Sequence, residues 1–230
     1  MKTIGLIGGI TPQSTIMYYE VLNSLASEHF GEGHSCEVII NSVNFAEIAN
    51  LQKENRWDKL NDIMADAGKS LELAGATCIL ICANTMHLTI DAVREVVNIP
   101  VIHIAEATAE IIIEKKLKTV ALLGTKYTME KNFYIDVLHS FGIKTIVPNL
   151  EDRNKVHRII YDELSKGVLN DASKHVYLKI IKKLIKDGAE GVILGCTEIP
   201  LLIKQTDVSV PVFDTTMIHA TKSFMEALKI

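Results

Sequence analysis

Two cysteines are singled out by what surrounds them. Cys82 closes the apolar run Ile79-Leu80-Ile81 and is followed by Ala83-Asn84-Thr85-Met86-His87. Cys196 closes Val192-Ile193-Leu194-Gly195 and is followed by Thr197-Glu198. Each run comes after a Gly-Ala pair (Gly75-Ala76, Gly188-Ala189) and is followed further on by Pro-Val (Pro100-Val101, Pro211-Val212). One unit is thus written twice, and the two cysteines are expected at matching strand ends. Two thiols opposed across one carbon have a definite chemistry. A thiolate on one side removes a proton, and a thiol on the other returns one to the opposite face. The centre inverts, and the roles exchange for the reverse reaction, which needs an acid and a base of matched pKa. One sulfur must then be held as thiolate, as happens near helix N-termini or cations. Both cysteines directly precede expected helix starts.

The α-hydrogen of an amino acid is a very weak acid, so such a site must also stabilise charge on the neighbouring carboxylate. Backbone N–H groups and hydroxyls aimed at its oxygens would do so. Asn84, Thr85, Thr125 and Thr197 are of the right kind at strand ends, although the same residue types also cap helices and turns. Lys166 is the candidate cation for a second, distal carboxylate. Ser14 and Thr15 belong to a glycine-led loop between a strand and a helix, an anion-binding arrangement. Glu198 is a candidate base partner of Cys196, or simply a first-turn helix acid. His87 is read as a helix-capping residue. Cys36 and Cys78 are read as small core residues. The spacing of the four cysteines is not that of paired zinc knuckles, so no metal is expected.

These residues need a frame that repeats. Residues 2–7 read as a buried strand, followed by a helix over 14–29 and a strand over 37–42. Residues 44–55 hold a short helix and a loop, 57–73 a helix, 78–82 the first cysteine strand, and 88–97 a helix. A short strand begins at Pro100, and 105–116 is helical. The pattern then restarts, because Lys118-Thr119-Val120-Ala121-Leu122-Leu123-Gly124-Thr125 echoes Lys2-Thr3-Ile4-Gly5-Leu6-Ile7-Gly8-Gly9. Helices over 129–141, 152–165 and 172–186 alternate with strands over 144–147, 191–196 and 211–213, and a helix over 215–228 closes the chain. Strands alternating with helices predict an α/β fold with parallel sheets. The repeat predicts two pseudo-symmetric Rossmann-like lobes, 1–103 plus 212–230 and 104–211, with the active site in the cleft between them.

A formal net charge of −4 and no basic stripe argue against nucleic acid as partner. No apolar run is long enough for a membrane span, and the amino terminus reads as a first strand of a cytoplasmic protein. The dinucleotide fingerprint is absent, since Gly5, Gly8 and Gly9 do not fit G-x-G-x-x-G.

Gly8-Gly9 with Ser14-Thr15, Cys82-x-Asn84-Thr85-Met86-His87, Leu123-Gly124-Thr125 and Leu194-Gly195-Cys196-Thr197-Glu198 together resemble the pyridoxal-independent aspartate/glutamate racemases. The likeness runs from the first strand to Phe213-Asp214 and the closing helix. It implies a small amino-acid substrate, no cofactor, a homodimer, and Cys82 and Cys196 as the two acid/base catalysts. It also implies that Asn84, Thr85, Thr125 and Thr197 contact the α-carboxylate or amine, that Lys166 binds a carboxylate, and that Gln52 touches substrate. Glutamate racemases proper carry Cys-Thr-His at the second cysteine, where this chain has Glu198. That departure favours the aspartate-like or broad-specificity branch. Related decarboxylases keep one of the two cysteines, so retention of both argues for racemisation.

Three rivals remain on the sequence. One is a related isomerase acting on maleate or a hydantoin. Another is a two-lobed binding protein without catalysis, which would tolerate loss of either cysteine. The third, a thiol redox protein using Cys78 and Cys82, has the wrong spacing for C-x-x-C.

Overall fold

The structure, a computed structural model, describes residues 1–229. The described residues form two compact units, residues 1–104 with those from 219 onward and residues 105–218.

The first unit is built on β1 (Ile4–Gly8), β2 (Val38–Ser42), β3 (Cys78–Ile81) and β4 (Val101–Ile102), all parallel, in the order β2-β1-β3-β4. The central strands are continuous apolar runs because both faces are covered. One face packs α1 (Pro12–Phe30) through Tyr18, Leu22 and Ala26, together with Ala220 and Phe224 near the C-terminus, on Ile4, Leu6, Cys78 and Leu80. The other packs α2 (Phe45–Lys53) and α3 (Trp57–Leu73) on Ile7, Ile79 and Ile81 through Ile48, Leu60, Met64 and Leu71. Each fully buried aliphatic side chain contributes about 1.5–3 kcal/mol relative to exposure. The expected helix over 88–97 is shorter: a 3-10 turn (Thr85–Thr89) leads into α4 (Ile90–Arg94).

The second unit repeats the plan. After α5 (Ile104–Glu114) come β5 (Thr119–Gly124), α6 (Lys126–Glu130), α7 (Asn132–Ser140) and β6 (Lys144–Ile146). Next are α8 (Leu150–Asp162), a 3-10 turn (Leu164–Lys166), α9 (Asp171–Lys186), β7 (Gly191–Gly195), α10 (Ile199–Leu202) and β8 (Val212–Asp214). Its parallel order, β6-β5-β7-β8, is that of the first sheet. Helices α8 and α9 cover the face carrying Ala121, Leu123, Val192 and Leu194. The helix expected over 129–141 is two, because Lys131 takes extended backbone between α6 and α7. Helix α11 (Thr215–Leu228) starts in this unit and belongs to the first from His219.

The expected assignment of 212–230 to the first lobe needs correction for 212–218. Strand β8 hydrogen-bonds to β7, with Val192 level with Val212 and Leu194 level with Asp214. Among the described residues no helix is long and apolar enough to cross a membrane.

Candidate active site

In a parallel α/β sheet, ligands are met beyond the carboxyl ends of the strands. In the second unit β5 and β7 end side by side, Gly124 level with Gly195. Both must be glycine: a Cβ on Gly124 would stand 2.7 Å from the Gly195 carbonyl and 2.9 Å from Thr128 Cβ. The next residue on each strand is functional in type, Thr125 on one and Cys196 on the other. Thr125 caps α6, its hydroxyl accepting from the Thr128 N–H at 3.4 Å.

Cys196 is partly buried, and its Sγ donates to Glu198 Oε2 at 2.9 Å. The Thr197 hydroxyl donates to the same oxygen at 2.8 Å. Glu198 is 6% exposed, so this carboxylate is taken out of water and held by two local donors. Burial first, then the Glu198 negative charge, pushes the Cys196 thiol well above its ordinary range. The resting pair is therefore a neutral thiol beside a carboxylate, not the thiolate expected from a helix start. Four-residue α10 is too slight to reverse that balance.

In the first unit β1 ends at Gly8 and turns through Gly9. Gly9 has φ +84°, and a Cβ there would meet the Val43 carbonyl oxygen at 2.1 Å. Its N–H donates to Thr15 Oγ1 at 2.8 Å. Ser14 is buried, and its hydroxyl donates to the Cys82 carbonyl at 2.5 Å, tying the start of α1 to the end of β3. Gln52, also buried, points its amide at Met86 Sδ, 3.2 Å away. Asn84 is buried and immediately precedes the 3-10 turn that begins at Thr85. His87 lies fully inside the unit, its Nδ1 2.9 Å from the Ala83 carbonyl and its Nε2 accepting from the Ile104 N–H. The helix-end role expected for His87 fits these bonds.

Cys82 is 0% exposed and packs with Ile4, Leu6, Tyr18, Leu22 and Leu80. Burial pushes its thiol above the ordinary range, and no charged partner enters.

The chain matches the Asp/Glu/hydantoin racemase family over residues 7–222. It belongs to that family. A candidate Asp/Glu racemase from Yersinia pestis is 43% identical over all of both chains, with a TM-score of 0.94. An aspartate racemase homologue from Pyrococcus horikoshii is 44% identical over all of both chains, with a TM-score of 0.89. A glutamate racemase from a Sulfurihydrogenibium species is 29% identical over 54% of this chain and 46% of its own. The match thus spans about half the length of that curated relative.

Membership in this racemase family sharpens the question of which thiols act. The two sheets can be superposed residue by residue through their registers. Ile4 is level with Cys78, and Val120, its counterpart in the echoed strand, is level with Gly191. Ile79 is level with Val101 after Pro100, and Val192 is level with Val212 after Pro211. Both alignments make Gly195 the counterpart of Cys82, and Ala83 the counterpart of Cys196. The faces agree: Ala83 lies in the layer of Ile7, Ile79 and Ile81, and Cys196 packs on the corresponding layer of Leu123, Val192 and Leu194. The expected matching places of Cys82 and Cys196 are therefore one residue out of step. The signal was in the sequence, since Cys82 stands six positions beyond Ala76 and Cys196 seven beyond Ala189.

Lys166 ends a 3-10 turn and is exposed, followed by Gly167 with φ +76°. Tyr161 was missed by sequence reasoning. Burial, then the nearby Tyr127, Cys196 and Glu198, raises its phenol to about 12. A tyrosine on an otherwise helical polar stretch carries no pattern that would mark it. Among the described residues, no group of three His, Cys, Asp or Glu side chains could hold a metal ion.

Proposed function

We propose that this chain is a cofactor-independent racemase of an acidic amino acid, aspartate or glutamate, and that Cys196 with Glu198 is its acid/base centre. The observation that carries the reading is the 2.9 Å contact from the Cys196 thiol to the Glu198 carboxylate at the end of β7, in a chain of this racemase family. The likeness to an aspartate racemase homologue over the full length supports an acidic substrate.

The chemistry follows from the pair. Glu198 accepts the Cys196 proton, giving a carboxylic acid and a thiolate. A substrate ammonium nearby favours that anionic sulfur. The thiolate then takes the α-proton and becomes a thiol again, while the electron pair left on carbon spreads into the substrate carboxylate. N–H and hydroxyl donors around that carboxylate lower the barrier. Ser14, Gln52, Asn84, Thr85, Thr125 and Thr197 are the proposed substrate contacts, with Lys166 for the distal carboxylate. Cys82 is not carried into this reading as the second catalyst, because its sulfur sits in hydrocarbon one residue out of step. Retention of both cysteines then no longer argues for racemisation, and the family match supports the racemase reading instead. A homodimer in the cytoplasm is the proposed form, and light scattering on the purified chain tests the dimer.

The test is chiral chromatography after incubating the protein with each enantiomer of aspartate and glutamate, with and without a thiol-alkylating reagent. Interconversion of at least one acid, abolished by alkylation, is expected. Absence of both interconversion and α-hydrogen exchange with all four would contradict the reading.

A further inference from the structure

A duplicated unit that places a thiol at one position in each copy yields two equivalent acid/base groups. Here the position occupied by Cys196 in the second unit is occupied by Ala83 in the first, by two strand registers and by the face of the sheet. The run Cys196-Thr197-Glu198 is repeated as Ala83-Asn84-Thr85, so the acid partner is missing as well as the sulfur. Cys82 cannot substitute by a small adjustment. Successive strand residues point to opposite faces, and reaching Ala83's side would require a one-residue slip of β3 that turns Leu80 and Ile81 around as well.

We propose that this is a one-thiol site, in which Ala83 marks the vacated place of a second acid/base group and makes the enzyme stereochemically lopsided. The proposal rests on the acidic amino-acid racemase reading above. Cys196 thiolate removes the α-proton of the enantiomer that presents it, leaving a thiol and a carbanion. That thiol exchanges its hydrogen with water and returns one to the same face, which restores the starting enantiomer with solvent hydrogen at Cα. Inversion requires a proton on the other face; the duplicated position that would carry a second thiol holds alanine, so water must supply that proton and be left as hydroxide. Exchange with retention is therefore the faster outcome, and it favours one enantiomer.

The experiment follows α-hydrogen loss by proton NMR in deuterated water and enantiomer composition by chiral chromatography, starting from each enantiomer of aspartate and glutamate. Wild type, Ala83→Cys and Cys82→Ala are compared, each checked for folding by circular dichroism. For wild type, exchange from one enantiomer should outrun inversion at least tenfold. Ala83→Cys should raise the ratio of inversion to exchange by on the order of tenfold or more, short of the roughly 10²–10⁴ of a fully positioned acid or base because the new thiol has no carboxylate partner. Cys82→Ala should leave that ratio unchanged. Equal exchange from both enantiomers with inversion keeping pace, or loss of inversion in Cys82→Ala, would overturn the one-thiol site while leaving the racemase reading intact. No exchange from any substrate would instead overturn the racemase reading. Should Ala83→Cys fail to fold, wild type and Cys82→Ala still decide the matter.

Discussion

At the end of β7 a sulfur meets a carboxylate, and at the end of β3 a sulfur meets hydrocarbon. The two ends share strand order, flanking glycines and the turn into a short helix, so backbone does not explain the difference. Position within the strand does. Cys196 follows the last β7 residue on the face covered by α8 and α9, and Glu198 curls back to it. Cys82 falls one place earlier in the repeat, on the face filled by α1. Since a strand alternates sides at every residue, an offset of one is enough to turn a reactive thiol into a packing residue.

The substitution that separates the two ends most sharply is Cys196→Ala beside Cys82→Ala. The first should lower turnover and α-hydrogen exchange by about 10²–10⁴-fold, the range for loss of a positioned acid or base. The second should cost about 1 kcal/mol of stability, as an ordinary core truncation does, and leave turnover nearly intact. Equal losses from both, measured on folded protein, would erase the distinction. Glu198→Gln comes next. It keeps the shape but removes the acceptor of the Cys196 proton, and kcat should fall by about 10–100-fold, at or below the lower limit of that general acid–base range, since the thiol itself remains. The same variant removes the negative charge that helps hold the thiol neutral, so alkylation of Cys196 should begin at lower pH than in wild type.

Thiol reactivity offers a smaller contrast. Burial holds Cys36 at about 11 and Cys78 at about 12, and raises Cys82 too, while Cys196 alone of the four is partly exposed. A reagent such as iodoacetamide should label Cys196 first, at a rate still climbing above pH 9. Mass mapping showing Cys82 labelled as fast would contradict the assignment.

Acid should also tell the units apart. Burial depresses His87 to about 4, His103 to about 2 and His219 to about 3, all in the first unit. Each is neutral when folded, whereas the unfolded chain takes up these protons near pH 6.5. Their contribution to stability is complete above pH 6.5 and is lost as the pH falls toward the folded values, at up to about 1.4 kcal/mol per pH unit for each histidine. In the second unit burial lowers His157 as well, and the Lys183 ammonium bonded to Asp152 holds that carboxyl below its ordinary 3.8, a contribution lost only as the pH falls from 3.8 toward the folded value. Hydrogen exchange at pH 5 should therefore open the first unit before the second. Simultaneous opening would contradict this.

Much of the architecture was legible in the amino acids. Continuous apolar runs gave every strand within a residue or two, and the Lys-Thr echo gave the duplication, because parallel strands covered on both faces leave that trace. Asn149 and Asn170 cap their helices three and two residues before the expected starts, since the caps stand ahead of the apolar pattern. The site was half legible. The run Cys196-Thr197-Glu198 is legible, and both Cys196 and Thr197 donate to the Glu198 carboxylate; Ser14 is legible too and is tied to the Cys82 carbonyl. The pairing of Cys82 with Cys196 is misleading because the residues are alike while their distances from the Gly-Ala pairs differ by one. The strand registers carry the same offset.

The most direct test is α-hydrogen exchange in deuterated water with each enantiomer of aspartate and glutamate, wild type beside Cys196→Ala. Exchange by wild type into one enantiomer of one acid, absent from the variant, is the predicted result. Exchange that survives in Cys196→Ala would show that this thiol is not the group that moves the proton.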